Sequence, residues 1–353
     1  SLTSDTIDYS LSPSPIIVDL TIGSASFASS IVGFERFVGS SSTSDRFTGR
    51  QTSQTWNVDS QGVGTLGATV FFGFEDLRGG SGNDSFVLSG PAPGEISFAG
   101  GDGNDTITGP SSDSIWVLQS PGGGTVGGLS FEGVENLRGG IGQDWFQITE
   151  SGQIVGTLSG GAGSNTLDYS TWTVSVAVNL AMRVGTAIGG SVSNFSILIG
   201  GSGADELTAS SAASVLIGGG GNDHLVGGGG RNILVGGLGS DRLEGRGGDD
   251  LVIGGRTALD NNTGSLWQLL AEWSSTRTYD QRIANLNGTG VGPRSNGESF
   301  LRNDLEDTIF GDEGMLDELL GGTGRDWFIA DLEDQLLDRV TTGINAERLD
   351  AAV

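Results

Sequence analysis

From residue 200 onward the apolar positions keep a nine-residue beat. Six consecutive blocks, GGSGADELT, ASSAASVLI, GGGGNDHLV, GGGGRNILV, GGLGSDRLE and GRGGDDLVI, fill 200–253, and a GG pair recurs at 254. Their eighth positions are Leu207, Leu216, Leu225, Leu234, Leu243 and Val252. One aliphatic residue per block, flanked by variable ones, predicts a three-residue strand with a single inward side chain. The six residues before it are rich in glycine, which enters positive-φ turn conformations without steric penalty. Two such blocks then make one coil, with strands on two faces and loops on two edges.

Upstream the period lengthens but copies persist. LRGGSGNDSF (77–86) and LRGGIGQDWF (137–146) lie 60 residues apart, as do Trp56 and Trp116, Glu75 and Glu135, and the diglycines at 100 and 160. A second offset of 160 relates TIDYS (6–10) to TLDYS (166–170) and VDL (18–20) to VNL (178–180). Diglycines near 79, 100, 139, 160 and 200 suit coils of about 20 residues. The first TIDYS comes almost at once, whereas its copy follows GGAGSN, so the chain is expected to begin inside a module of something longer. At 256 the beat stops. Asp260–Thr263 offers helix caps, and Leu266, Leu269, Leu270 and Trp273, then Tyr279, Ile283 and Leu286, fall at helical spacing. NLNGTGVGPRSNG reads as loop.

The predicted class is therefore all-β, a right-handed parallel β-helix and β-roll solenoid with a short helical insertion near 258–290. The expected divisions are 1–199 as degenerate coils, 200–255 as the regular roll and 256–302 as the insertion. The roll then resumes over 303–331, and 332–353 forms an acidic amphipathic tail.

Composition sharpens this picture. The chain has 353 residues, 64 Gly, no Cys, no Lys and a formal net charge of -26. So anionic a chain repels phosphate backbones and anionic lipid, which argues against nucleic-acid and membrane-surface roles and for attraction of cations. No run reaches the roughly 18–20 apolar residues that span a bilayer, and no basic-then-apolar leader opens the sequence. Without cysteine there are no disulfide staples.

The acids sit where a cation could use them. In GGxGxD the last position holds Asp205, Asp223 and Asp241 on one edge, and Ser214, Asn232 and Asp250 on the other. Calcium takes about six to eight hard oxygens from carboxylates and carbonyls in a flexible shell. Glycine loops can turn several carbonyls toward one point, and loops one coil apart stack, so each ion can lie between successive coils. The bland alternative is a stacked glycine corner whose acids are solvated.

With these motifs the sequence resembles the RTX, or haemolysin-type, calcium-binding repeat family. The match is strict over 200–255 and 321–329 and looser at 79–84, 100–105, 139–144 and 160–165. The resemblance implies several bound Ca2+ ions. It implies one site of Gly201, Gly203 and Asp205 with Gly218, Gly220 and Asp223, and a second of Gly219, Gly221 and Asp223 with Gly236, Leu238 and Asp241. On the opposite edge Gly228, Gly230, Asn232, Gly245, Gly247 and Asp250 form a weaker candidate, and Ser214 brings no charge. In the wider coils Gly80, Gly82 and Asp84 face Gly100, Asp102 and Asp105 if their loops stack, and Asp144 faces Asn165. Asp307, Asp317 and Asp326 recur at approximate nine-residue steps near the end, disturbed by one extra residue in GDEGMLD. Export by type I secretion, unfolded and through a C-terminal signal, is part of what the resemblance implies.

Two functional expectations remain side by side. One is a calcium-stiffened structural segment of an exported bacterial protein, extracellular or on the cell surface, of the adhesin or surface-layer kind, whose partners are further copies or modules or an extracellular polysaccharide. The other is the non-catalytic tail of a secreted enzyme, or a polysaccharide lyase or epimerase-like β-helix. Arg78 and Arg138 are repeat-equivalent, which favours structure over a unique catalytic site. His224, the sole histidine, has no G-x-S-x-G elbow to serve and is expected to point outward. Trp56, Trp116, Trp145 and Trp327 are expected in the core, with a sugar-stacking platform as the alternative.

Overall fold

The structure, a computed structural model, describes residues 5–91, 95–302, 308–312, 314–341 and 346–352. The chain forms two compact units, one of residues 1–165 with 187–194, the other of 166–186 with 195–353. Each is built from short strands stacked mostly in parallel, as the spacing of apolar residues requires.

In the second unit the nine-residue beat becomes geometry directly. Glu206–Thr208, His224–Val226 and Arg242–Glu244 pair in parallel and place Leu207, Leu225 and Leu243 in one column. Ile197–Ile199, Val215–Gly220, Ile233–Leu238 and Leu251–Ile253 do the same with Leu198, Leu216, Leu234 and Val252. Both columns are buried, so the interior is one thin stripe of aliphatic side chains.

The two faces differ outside that stripe. Residues flanking the first column, such as Glu206, His224, Arg242 and Glu244, are polar and reach solvent. Those flanking the second are Val215, Ile217, Ile233, Val235, Leu251 and Ile253, and all are buried. Their cover is the insertion. Helix α1 (Thr263–Trp273), capped by the Asn262 side chain, and helix α2 (Tyr279–Leu286), held by a Thr278/Gln281 capping box, lay their apolar sides on this sheet. Continuous VLI, ILV and LVI triplets are what a strand buried on both faces requires. Beyond the insertion the roll resumes in register. Glu318–Leu320 pairs with Arg242–Glu244, and Trp327–Ala330 continues from Leu251–Ile253, both pairings reaching across the whole insertion. The last residues, expected as a tail, instead supply two more strands, Gln335–Leu336 and Arg348–Ala351.

The first unit has wider coils. Phe86 stacks on Ile107 and Leu77 on Phe98, a step close to the one the diglycine spacing predicts. Each 60-residue copy also carries an antiparallel three-stranded meander, which a purely parallel helix does not contain. The meanders are Thr55–Val58 with Gly64–Leu66 and Thr69–Phe72, and Ile115–Ser120 with Gly123–Val126 and Leu129–Glu132. Their turns need positive φ, supplied by Gly62 and Gly67 in one copy and by Gly122 and Gly127 in the other. Aromatic rings fill the broader interior, with Phe47 stacked on Phe71 at 4.8 Å and Trp116 on Phe146 at 5.0 Å. Trp56, Trp116 and Trp327 are buried and Trp145 half-buried, which takes the first three away from any sugar-stacking surface.

Candidate metal centre

The loop acids form ladders along the coil edges. On one edge the Asp205 Oδ1 accepts from Val176 N at 2.8 Å, Asp223 Oδ1 from Asp205 N at 2.7 Å, and Asp241 Oδ1 from Asp223 N at 2.7 Å. Asp317 Oδ1 continues the series by accepting from Asp241 N at 2.8 Å. Every coil thus presents its carboxylate to the backbone of the coil before it. These side chains are at most 2 % exposed.

The fit of a cation turns on the second oxygens. Oδ2 of Asp223, Asp241 and Asp317 is buried without a hydrogen-bond partner. Each is aimed at a glycine of its edge, beside a backbone carbonyl or a further carboxylate. A Cβ added to Gly218 would stand 2.3 Å from Asp223 Oδ2 and 2.4 Å from Gly236 O, and one added to Gly236 would stand 2.5 Å from Asp241 Oδ2 and 2.3 Å from Gly254 O. Asp205 and Gly218 O converge likewise on Gly200, although Asp205 Oδ2 also accepts from Gly201 N at 2.6 Å. The carbonyls of Gly201 and Gly203 are directed at Gly219 and Gly221, whose φ angles of +105° and +108° admit no side chain cheaply. Gly220 N donates to Gly201 O, and Leu238 O accepts from Gly221 N.

Electrostatics agree. Burial, reinforced by the neighbouring Asp205 carboxylate, pushes Asp223 up to about 7. Asp241 is likewise raised to about 7 by burial and then by Asp223, Asp312 and Asp334. Buried, uncompensated carboxylate oxygens beside carbonyl oxygens are what a hard divalent ion satisfies. Among the described residues no three carboxylate or imidazole side chains gather at one point, so backbone carbonyls would supply the remaining ligands.

The opposite edge is divided. At its upper end Ser214 Oγ donates to Ala212 O, and its loop lacks glycine. Asn232 turns its amide inward, donating to Gly230 O at 2.8 Å and to Asp250 Oδ1 at 3.0 Å. Its N–H groups thereby take up oxygens that a metal at Gly228, Gly230, Asn232, Gly245, Gly247 and Asp250 would need. One coil further the arrangement matches the well-formed edge. A Cβ added to Gly245 would stand 2.4 Å from Asp250 Oδ2 and 2.5 Å from Gly321 O, Asp250 N donates to Asp326 Oδ1 at 2.7 Å, and Oδ2 of both acids is left over. Burial pushes Asp250 to about 9 and Asp326 to about 7. The sequence names both acids but not their partnership, since the whole insertion lies between them in the chain.

In the first unit Asp84 N donates to Asp105 Oδ1 at 2.7 Å, so the two loops do stack. Oδ2 of each acid is unpartnered, and Asp84 Oδ2 meets Gly100 O around Gly79. Carbonyls of Gly80 and Gly82 face Gly101 and Gly103, while Asp102 is exposed. Asp144 N donates to Asn165 Oδ1, but the Asp144 oxygens are already taken by Ser114 and Gly140 N, which leaves that corner little to offer a cation. Asp307 lies outside the described residues. His224 points outward, 3.4 Å from Glu244, and Arg78 is engaged by Asp76 at 3.1 Å.

Filling one cradle tests the geometry. Gly218→Ala is expected to cost about 1–3 kcal/mol by overpacking against Asp223 and Gly236. Gly229→Ala, whose Cβ meets nothing nearer than 3.8 Å, is expected to stay within about 0.5 kcal/mol of the parent. Thermal unfolding of both variants in calcium reads the difference.

Comparison with known families finds the RTX calcium-binding nonapeptide repeat at residues 97–109, 199–234 and 226–257. The chain thus carries RTX-type calcium-binding repeats, of the kind found in secreted bacterial proteins, over the loops whose acids are stacked here. No curated protein matches the chain. Among the described residues no helix is long and apolar enough to cross a membrane.

Proposed function

We propose that this chain is a calcium-stiffened structural segment of a secreted or cell-surface protein, adhesin-like or part of a surface layer or extracellular fibre, that folds on meeting calcium after export. The observation that carries the reading is the row of buried aspartates whose Oδ2 atoms face the next coil without a partner. The residues assigned to hold calcium are Asp205, Asp223, Asp241 and Asp317 on one edge, Asp250 with Asp326 on the other, and Asp84 with Asp105 in the first unit, each with carbonyls of the adjoining loops. When bound, the ion supplies the positive charge that these oxygens lack. The chain's part is to stack the loops, exclude water from Oδ2 and hold Oδ1 on the preceding backbone. Before that stacking, 64 glycines leave the unfolded chain with a large conformational entropy to lose. The ladder of like charges opposes folding further.

Export in the unfolded state through a type I system follows naturally, because each site is assembled from two coils and does not exist in the open chain. Further copies of the chain or an extracellular polysaccharide are the partners this role assigns. The test is a titration of the chelated chain with calcium, with magnesium in parallel. Circular dichroism is expected to gain β signal, and each site filled to about 100 times its dissociation constant adds roughly 2.7 kcal/mol. An unchanged spectrum and melting midpoint would show that the aspartate rows work without metal and would end the proposal.

A further inference from the structure

We propose that residues 27–34 of the first unit form a docking face for one more wide coil, presented by another module of this repeat type. This extends the structural role above by naming a surface and the chemistry of its partner. Four segments share one pattern: Ile31-Val32-Gly33-Phe34, Phe71-Phe72-Gly73-Phe74, Phe131-Glu132-Gly133-Val134 and Val192-Ser193-Asn194-Phe195. In each the first residue is buried and the third has a positive φ, between +61° and +89°.

Three of the four lie as strands in parallel on the coil before them. Phe71 is beside Phe37, Phe131 beside Phe98 and Val192 beside Leu158. Among the described residues Ile31 and Val32 belong to no strand, and no group donates to the carbonyls of Val32 or Gly33. Exposure follows. Phe34 is 37 % exposed where Phe74, Val134 and Phe195 are buried, and Val32 is 88 % exposed. Phe27 is also exposed and holds φ at +64°, a value that a bulky residue adopts only under constraint. Its counterpart Ala187 has the same φ and uses it, because Ala187 O accepts from Ile154 N at 2.9 Å, one coil earlier.

What covers the three completed copies defines the partner. Each receiving strand reads apolar-x-Gly: Phe37-Val38-Gly39, Phe98-Ala99-Gly100 and Leu158-Ser159-Gly160. Gly39 N donates to Phe72 O at 2.8 Å and Gly160 N to Ser193 O at 3.0 Å. The glycine is obligatory, because the carbonyl of the positive-φ residue presses on it. A Cβ at Gly39, Gly100 or Gly160 would stand 1.7, 2.1 or 2.3 Å from the oxygen of Gly73, Gly133 or Asn194. The partner of 27–34 therefore brings an apolar residue onto Ile31 and a glycine against the Val32 and Gly33 carbonyls, adding a strand to an open edge. The strands that close the second unit run into Leu336-Leu337-Asp338 and Leu349-Asp350-Ala351, without glycine at the third place. End-to-end stacking of this chain on itself does not satisfy the face.

The test joins a second copy of residues 106–165 to Thr6 of the full chain, so that Asn165 runs into Thr6 as it runs into Thr166. In calcium, hydrogen exchange at amides 28–33 is expected to slow at least about tenfold relative to the parent. Gly160→Ala in the added copy alone is expected to cancel that protection. Unchanged exchange in a folded extended chain would overturn the inference, as would equal protection with the alanine. A parent that self-associates in sedimentation with 28–33 protected would overturn it too, since its own last coil would then fill the face. Should the extended chain not fold, Gly160→Ala in the parent decides: loss of protection over 187–194 sustains the glycine requirement, and retained protection overturns it. A parent indifferent to calcium would sink the structural role above and leave this contact standing.

Discussion

Stripped of divalent ions, the chain is expected to lose stability as the pH rises from 5 to 8, and millimolar calcium is expected to reverse that trend. The cause is the set of buried loop acids. In the ion-free fold, burial raises Asp84 to about 6, Asp223, Asp241 and Asp326 to about 7, Asp317 to about 8 and Asp250 to about 9, from a common starting value of 3.8. Between 3.8 and these raised values the folded chain holds protons that the unfolded chain has released. Stability therefore falls with increasing pH through that window and levels off above it. A single group raised this far contributes on the order of 2–4 kcal/mol across the window, a sizeable share of ordinary domain stability.

Calcium changes the sign because its binding requires these carboxylates deprotonated. Its stabilisation is weak at pH 5 and grows steadily towards pH 8. Calorimetry at pH 5, 6, 7 and 8, with chelator and with calcium, checks both halves. The range stops at 5 because other acids behave oppositely at lower pH. At Asp76 burial is outweighed by hydrogen bonds from Arg78 and Arg46, so its pKa is lowered and its contribution disappears on acidification. A melting midpoint that climbs with pH in chelator would mean that the Oδ2 atoms are not isolated as described.

How far the sequence could lead depended on whether a contact repeats at a fixed step. Leu207, Leu225 and Leu243 were legible as a column because one inward side chain per block leaves no competing register. The faces of α1 and α2 were legible for the same reason. The pairing of Asp250 with Asp326 was hidden because the insertion breaks the count, and register across such a break is fixed by three-dimensional stacking of Leu251 on Trp327 rather than by spacing. The meanders at 55–72 and 115–132 were hidden differently: Gly62 and Gly122 occupy equivalent places, but a lone glycine signals a turn without stating which strands it joins. At Asn232 the residue type alone allows a carbonyl oxygen to face a cation. Its side chain instead directs N–H groups at Gly230 and Asp250, a choice set by the two acceptors that the coil brings near.

Replacing Arg282 by methionine is expected to destabilise the second unit by about 3–5 kcal/mol, the usual result of removing one member of a buried ion pair. Arg282 is 1 % exposed, pairs through Nη2 with Asp249 and donates from Nη1 to Trp273 O at 2.9 Å. Its guanidinium also lies over the rings of Trp273 at 4.7 Å and Tyr279 at 5.8 Å. Asp249 immediately precedes the loop acid Asp250 and accepts from Arg325 N at 3.1 Å, with Arg231 3.6 Å away. One carboxylate therefore fastens the insertion to the same edge whose next residue is assigned to calcium. Methionine fills much of the volume but leaves Asp249 without its buried partner, so the loss should exceed that of a surface pair. Lysine retains charge but not the planar fork that serves Asp249 and Trp273 O together, and is expected to fall between. Hydrogen exchange adds a positional reading: amides of 263–286 should speed up first, then those of 245–250, while 218–223 on the other edge should change least. If Arg282→Met melts with the parent and protection over 263–286 is unaltered, the helices are held by Leu266, Leu269, Leu270 and Ile283 alone, and the ion pair is a passenger on an apolar interface.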